Sequence, residues 1–173
     1  MRVLVTVGTH EQPFRRLLDA AADATARRPH DEWVVQFGVG SWCTTRPGVR
    51  SSRYLDADAM HRALQWADVV VGGSGPGTVF GALHAGAWPL VLGRSPAAGE
   101  HVDDHQVRFA RTLGRIGYAT ELRQPRDLVP ALEHEAARTA HDRRRRIARV
   151  VGTVRVNEDA FRDDVWRVLG DLV

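Results

Sequence analysis

The stretch GGSGPGTVFGALHAG, residues 72 to 86, follows the apolar triplet Val69 to Val71 and leads into AWPLVLG. Its first six residues are glycine, serine or proline, so they offer no large side chain for a core. Glycine lets another group approach the backbone closely, and Pro76 suits a first helical turn, where free N–H groups and the helix dipole attract anions. The stretch therefore predicts a strand, a tight turn and a helix start that binds a phosphate or diphosphate. A turn without any ligand is the alternative, because neither the dinucleotide-binding nor the Walker glycine motif is present.

Short β-branched runs alternate with amphipathic stretches on both sides of this segment, which predicts an α/β fold with a Rossmann-like parallel sheet of about six strands flanked by helices. The strands are expected at residues 2–7, 32–38, within 48–56, and at 68–73, 88–93 and 117–122, the last at an edge. The helices are expected at residues 14–28, 56–67, 76–85, 101–115, 126–151 and 157–172. Asp56 or Asp58 should cap the second helix, and Val102 should lie on the apolar face of the fourth.

The alternation of strands and helices stops near Pro125. We therefore predict a Rossmann-like domain at residues 1–125 and C-terminal helices at 126–173 that pack on it or on a partner. The tail has an apolar helical face suited to docking, formed by Phe161, Val165, Trp166, Leu169 and Leu172. The arginine run at residues 143–146 is interpreted as either a solvated helix face or a contact with anionic lipid headgroups.

Composition excludes several classes of protein. The chain has 173 residues, 43% of them hydrophobic, and a formal net charge of +3, with arginine as its only strongly basic residue type. The arginines are scattered apart from the run at 143–146, so nucleic acid is not the expected partner. Cys43 is the only cysteine, and no signal-peptide core or membrane-spanning apolar run is present. We therefore expect a cytoplasmic protein, with any membrane association made through a partner.

Parallel strands bring their carboxyl ends to one edge of the sheet, so the loops that follow them should form the site. We name these loop 1 (residues 8–13, GTHEQP), loop 2 (residues 72–77) and loop 3 (residues 93–106). Loop 3 contains Glu100, His101, Asp104, His105 and Gln106 near a predicted helix start. His101 and His105 are four residues apart and would share a helix face, as two zinc-binding histidines do.

HExxH is absent, however, and acidic residues at a helix start need no metal because the dipole favours them. Polar side chains directed at a sugar are the preferred interpretation of loop 3, without a metal or cofactor. A metal-dependent hydrolase is the alternative that the two histidines leave open.

Together the three loops resemble the C-terminal, donor-binding domain of glycosyltransferase family 28, which forms one half of the GT-B fold. The resemblance is carried by VTVGTHEQPF at residues 5–14, ADVVVGGSGPGTVFGALHAG at 67–86 and GEHVDDHQVRFA at 99–110. It is greatest to the standalone, PssE-type subunits of bacterial exopolysaccharide synthesis and more distant to MurG. It covers roughly residues 1–122, with the three motifs in the family's order.

The resemblance implies a UDP-sugar donor whose uracil lies near residues 55–60. It places the diphosphate at Ser74, Gly75, Gly77 and Thr78, the sugar at Asp104, His105 and Gln106, and Thr9 and His10 on the other side of the cleft. From the loops themselves we add Gly8 and Pro76 to the expected nucleotide site and Glu100 and His101 to the expected sugar site. Gly73 stands where many members have a histidine. Gly81 stands where the family has the glutamate that accepts hydrogen bonds from the ribose, which raises the alternative of a degenerate, non-catalytic scaffold or regulatory subunit.

GT-B chemistry takes place between two such domains, and only one fits in this length. The resemblance therefore implies a membrane-anchored partner subunit that binds a lipid-linked acceptor. The general base of an inverting transfer is expected on that partner, with His10 as a weak candidate in this chain.

Overall fold

The computed structural model describes residues 1–44 and 46–170, with side chains up to Arg155. Its centre is a sheet of six parallel strands in the order β3-β2-β1-β4-β5-β6. The strands are β1 Arg2–Thr6, β2 Glu32–Gln36, β3 Val49–Ser52, β4 Val69–Gly72, β5 Trp88–Leu92 and β6 Thr120–Leu122. The predicted fold class, the number of strands and the edge position of the last strand are confirmed.

Six α-helices flank the sheet within the described residues. They are α1 Arg15–Arg27, α2 Ala57–Trp66, α3 Pro76–Ala85, α4 His105–Arg115, α5 Leu128–Ala136 and α6 Ala140–Gly170. Asp56 is the N-cap of α2, because its carboxylate accepts a hydrogen bond of 2.7 Å from the Ala59 amide. This selects one of the two predicted caps.

The start of α4 differs from the prediction. The helix begins at His105 rather than His101, because the Asp103 carboxylate accepts the His105 amide at 3.0 Å and ends the irregular segment there. Val102 consequently lies outside the helix with 80% of its surface exposed, so its predicted core position is wrong.

The C-terminal helices also break at a different point. Helix α5 ends at Ala136, and the Thr139 hydroxyl accepts the Asp142 amide at 3.1 Å, which caps a new helix. Helix α6 then continues through Gly152 and the predicted gap before Asn157. The predicted docking face at Phe161, Val165, Trp166, Leu169 and Leu172 lies outside the described side chains.

Alternate residues of the strands feed two cores, because successive side chains point to opposite faces of a sheet. Val3, Val5, Val69 and Val71 pack with α1, α4, α5 and α6 on one face. On the other face Leu4 and Val70 pack with small residues of α2 and α3. The buried residues Ile147 and Val150 of α6 belong to the first core, so this part of the helix packs on the domain, against α3. No helix among the described residues is long and apolar enough to cross a membrane.

Candidate functional site at the carboxyl edge of the sheet

The strand order reverses between β1 and β4, so their loops lie side by side at the carboxyl edge. Thr6 and Gly72 are paired at the end of this ladder. A Cβ on Gly72 would lie 2.9 Å from the Thr6 carbonyl oxygen and 2.8 Å from the Thr78 methyl carbon, which leaves room only for glycine. Such a reversal is where open α/β sheets bind ligands.

Gly75 and Gly77 are different, because neither a positive φ nor a close contact within the described residues requires glycine there, although glycine is also a favoured N-cap residue at position 75. Neither has a positive φ, and a Cβ on either would meet no atom within 4 Å. Gly75 is the N-cap of α3, and no side chain in the described part of the chain caps that helix start. The start of α3 therefore has no side-chain cap, and the space that a side chain at Gly75 or Gly77 would enter is open.

Loop 2 is fastened to loop 3 through Ser74. This residue is fully buried, and its hydroxyl donates to the Gln106 carbonyl at 2.6 Å. The Gln106 Oε1 atom is itself buried without a hydrogen-bond partner, 3.3 Å from where a Cβ on Gly73 would lie. A side chain at position 73 would therefore have to displace the end of the Gln106 side chain slightly.

The buried side chain of Arg94 connects loops 1 and 3 from the interior of the protein. Its side chain is buried, and the whole residue is 2% exposed. The guanidinium donates to the carbonyls of Val7 and Gln12, each at 2.8 Å, and to that of Glu100 at 3.2 Å, and it lies over the Phe14 ring. A planar guanidinium with five N–H groups suits this task because it reaches several carbonyls from one position.

Glu100, expected near the sugar, is instead part of this support. The residue is 2% exposed, and both of its carboxylate oxygens are bound by Arg16 of α1. One of them also accepts the Ser95 amide at 3.2 Å. Because the carboxylate faces inward and its oxygens are engaged, we assign Glu100 to holding loop 3 and leave it out of the ligand-contacting set.

Three histidines lie close together where loops 1 and 3 meet: His10, His101 and His105. The His101 ring centroid lies 4.9 Å from that of His10 and 4.5 Å from that of His105, the latter edge to face. The Asp103 carboxylate is 2.5 Å from His105 Nδ1 and 3.5 Å from His101 Nδ1. The His101 and His105 rings therefore meet as predicted, although the shared helix face does not exist.

The surroundings of His10 favour its neutral form. Burial, and next the charge of Arg94, lowers the pKa of His10 below its ordinary value of 6.5. Its Nδ1 accepts the Gln12 amide at 3.2 Å, so Nε2 carries the proton. His10 is thus arranged to donate a hydrogen bond and lacks a free lone pair for removing a proton.

The other predicted residues lie around the same edge. Gly8 has a φ of +72°, which its turn requires; Thr9 and Pro76 are exposed, and Thr78 is half-buried. Asp104 is exposed and pairs with Arg108 at 3.1 Å, one turn along α4. Sequence reasoning did not find Arg16 or Arg94, and it noted Asp103 among the polar residues of loop 3 without giving it a role. Arg94 directly follows the glycine that ends a buried strand, and that position was its only sequence signal.

A separate cavity of about 390 Å³ lies between β3 and α2. Leu55 and Ala59, from the stretch expected to hold uracil, line part of it, together with Trp66 and residues of β2 and β3. None of its lining residues belongs to loops 1, 2 or 3.

The reversed strand order and the bare helix start define a Rossmann-like domain of the type that forms half of a GT-B glycosyltransferase. The chain belongs to glycosyltransferase family 28: the model of the family's C-terminal domain matches residues 2–150. The predicted family is therefore confirmed, and the finer likeness to PssE-type subunits and MurG stays a prediction.

Solved structures show the same fold. The glycotransferase of kitacinnamycin matches with a TM-score of 0.62 and 21% identity over 93% of this chain and 42% of that one. CalG4, the calicheamicin glycosyltransferase, matches with a TM-score of 0.57 and 20% identity over 92% and 41%. A putative UDP-N-acetylglucosamine 2-epimerase from Listeria monocytogenes matches with a TM-score of 0.57 and 15% identity over 92% and 46%. The chain thus spans less than half of each of these proteins. No curated protein matches the sequence.

Proposed function

We propose that this chain is the donor-binding half of a nucleotide-sugar glycosyltransferase, with a UDP-sugar as donor. It works with an acceptor-binding partner in the synthesis of a polysaccharide or a lipid-linked sugar. Membership of the family and the placement of loops 1, 2 and 3 at one edge of the sheet support this proposal.

The observation that carries the proposal is Gly77, in the first turn of α3. A glycine within a helix costs stability relative to alanine, by roughly 0.5–1 kcal/mol for a helix interior. Neither a positive φ nor packing among the described residues accounts for that cost at Gly77. A diphosphate that approaches the amides at the start of α3 does account for it, because a Cβ would occupy its place.

The sugar is proposed to lie against loop 3, with Asp104, His105 and Gln106 as the polar contacts and His101 beside them. His10 and Thr9 close the other side of the cleft. Because Nε2 of His10 is the protonated nitrogen, we propose that it donates a hydrogen bond to an oxygen atom of the nucleotide sugar.

The partner supplies the acceptor and the base. In the proposed inverting transfer, an acceptor hydroxyl oxygen forms the bond to the anomeric carbon while the bond to the diphosphate oxygen breaks. The hydroxyl proton passes to a base, and the diphosphate leaves with the electron pair. His10 is not suited to be that base, since its Nδ1 is engaged and its Nε2 is protonated. This supports a general base on the partner subunit. We propose that the partner subunit is anchored at the membrane.

Calorimetric titration of UDP and a panel of UDP-sugars, in the presence of EDTA, tests the donor site. Gly77→Ala should weaken nucleoside diphosphate binding about tenfold or more while raising the thermal midpoint slightly, since the added methyl suits a helix. Gly152→Ala in α6 is the matched control: its Cβ also meets no atom within 4 Å, and it should leave affinity unchanged. Absence of binding by any nucleotide sugar at millimolar concentration would overturn the proposal.

Gly81 favours one alternative, a non-catalytic scaffold of the same fold. Assays of sugar transfer with the acceptor-binding partner present separate the two. Activity that is lost on Gln106→Ala contradicts the scaffold, and a partner that is equally active without this chain supports it.

A further inference from the structure

Among the described residues, His101, Asp103 and His105 form the one group of three histidine, cysteine or acidic residues whose ligand atoms converge. One such atom from each residue lies within 4.8 Å of the others. We propose that this group binds one divalent transition-metal ion of the Zn²⁺ class, at the mouth of loop 3. This inference does not depend on the proposed glycosyl transfer.

The spacing of these atoms suits a small ion. Ligand atoms about 2.0–2.2 Å from a tetrahedral zinc ion lie roughly 3.3 Å from one another. The 3.5 Å between His101 Nδ1 and Asp103 Oδ1 is close to that value. His101 Nδ1 also accepts a long hydrogen bond of 3.4 Å from the Asp103 amide, which the ion would replace. His105 Nδ1 is hydrogen-bonded to the same oxygen at 2.5 Å, and an ion would displace the proton between them as the pair moves apart.

The chemistry of the donor set also selects the ion. Two imidazoles and one carboxylate suit zinc, copper or nickel, whereas calcium and magnesium prefer oxygen alone. The positive end of the α4 dipole opposes a cation at this point, and the Asp103 carboxylate offsets it. Three ligands in an exposed loop leave a further position for water or a substrate oxygen.

Two features prepare the site before any ion binds. His101 is nearly enclosed, with 10% of its side chain exposed, between the rings of His10 and His105. The loop that carries it is fixed by Glu100, whose carboxylate is held by Arg16. The cost of ordering the loop is thus already met by folding, which favours binding.

Calorimetric titration of ZnCl₂ into the full-length, tag-free chain, stripped with EDTA and free of nucleotide, tests the inference. We expect one equivalent to bind with a micromolar dissociation constant. His101→Ala/His105→Ala should lower the affinity at least about a hundredfold. His61→Ala/His84→Ala, which removes two exposed histidines of α2 and α3, should not change it.

The carboxylate ligand has its own matched pair. Asp103→Asn should weaken zinc binding about tenfold, whereas Asp104→Asn, one residue along and paired with Arg108, should leave it unchanged. Co²⁺ should develop the visible absorption of a four- or five-coordinate ion in the wild type and lose it in the double histidine variant.

A wild-type chain that takes up no ion, or equal losses in the site and control variants, would overturn the inference. Because nucleotide binding is measured with EDTA, the two proposals fail separately. Zinc uptake without nucleotide binding supports this site alone, and nucleotide binding without zinc uptake contradicts this site alone.

Discussion

Each end of the sheet contains a buried glutamate held by arginine. At the carboxyl edge, the Glu100 carboxylate binds Arg16, and the Glu100 carbonyl accepts a hydrogen bond from the buried Arg94. At the amino edge, Glu135 of α5 binds Arg138 at 3.3 Å and Arg146 at 3.0 Å. Glu100 is 2% exposed and Glu135 1%, so the two carboxylates share almost the same burial.

What the two clusters connect is different. The amino-edge cluster ties α5 to α6, and its Arg146 lies over the ring of Trp88, the first residue of β5. The carboxyl-edge cluster ties loops to one another: Arg94 reaches Val7 and Gln12, more than eighty positions away. The same pairing therefore stabilises regular helices at one end and positions irregular backbone at the other. Substitution at the two ends should separate stability from ligand binding.

Loss of the Arg94 guanidinium should give the largest effect. Arg94→Met leaves three carbonyls without their donor in a buried setting, which should lower the free energy of unfolding by about 3–5 kcal/mol. It should also abolish nucleotide binding, because loops 1 and 3 lose their common support. Urea denaturation and calorimetry measure the two effects.

Arg146→Met is the counterpart at the amino edge. Its side chain is 29% exposed and Glu135 keeps Arg138, so we expect a loss of about 1–2 kcal/mol and unchanged ligand affinity. Equal effects of the two arginine substitutions on ligand affinity would contradict the division between the ends.

The two glutamates allow a closer comparison, since Glu100→Gln and Glu135→Gln change one atom in each cluster. Both should lower the free energy of unfolding, by about 1.5–3 kcal/mol, because a charge-assisted pair is lost. Only Glu100→Gln should weaken nucleotide-sugar binding, by about tenfold. A similar loss of affinity in Glu135→Gln would show that affinity follows global stability rather than the position of loop 3.

Helix α3 begins at the carboxyl edge, and Gly81 lies on it. The nearest atom to a Cβ there is Leu64 Cδ1 at 3.6 Å, an ordinary contact, so a longer side chain can be accommodated. Gly81→Glu places a carboxylate where the sequence resemblance implies one for the ribose, and should raise UDP affinity about tenfold. Gly81→Gln, of the same size without the charge, should give a smaller gain, and equal gains would contradict a role for the charge.

Sequence reasoning succeeded where the signal is local. Valine runs predicted the buried strands, and the residues of loop 2 predicted a helix that starts at Pro76. It failed for the support of the site. Apart from the Glu100 carbonyl, which Arg94 binds six residues away, Arg16 and Arg94 act on partners more than seventy residues away, which leave no pattern in the chain. Glu100 was expected to face a ligand because the sequence places a glutamate in loop 3 but does not show in which direction its side chain points.

The smallest effect is expected at an exposed ion pair of the amino edge. Asp68 accepts the Arg2 amide at 2.8 Å and its guanidinium at 3.1 Å. Burial alone would raise the pKa of Asp68, but these hydrogen bonds outweigh it and lower the pKa below its ordinary value of 3.8. A carboxyl with a lowered pKa stabilises the fold above that ordinary value, and the contribution is lost as pH falls through the folded pKa.

Asp68→Asn should therefore cost less than about 1 kcal/mol at pH 7 and nothing at a pH below the folded pKa. Urea midpoints measured from pH 7 down to about pH 2.5 test this prediction. Asp19→Asn, on the exposed face of α1, is the control. If the wild type stays more stable than Asp68→Asn by the same amount in acid, the charge of the carboxylate is not the source of the difference in stability.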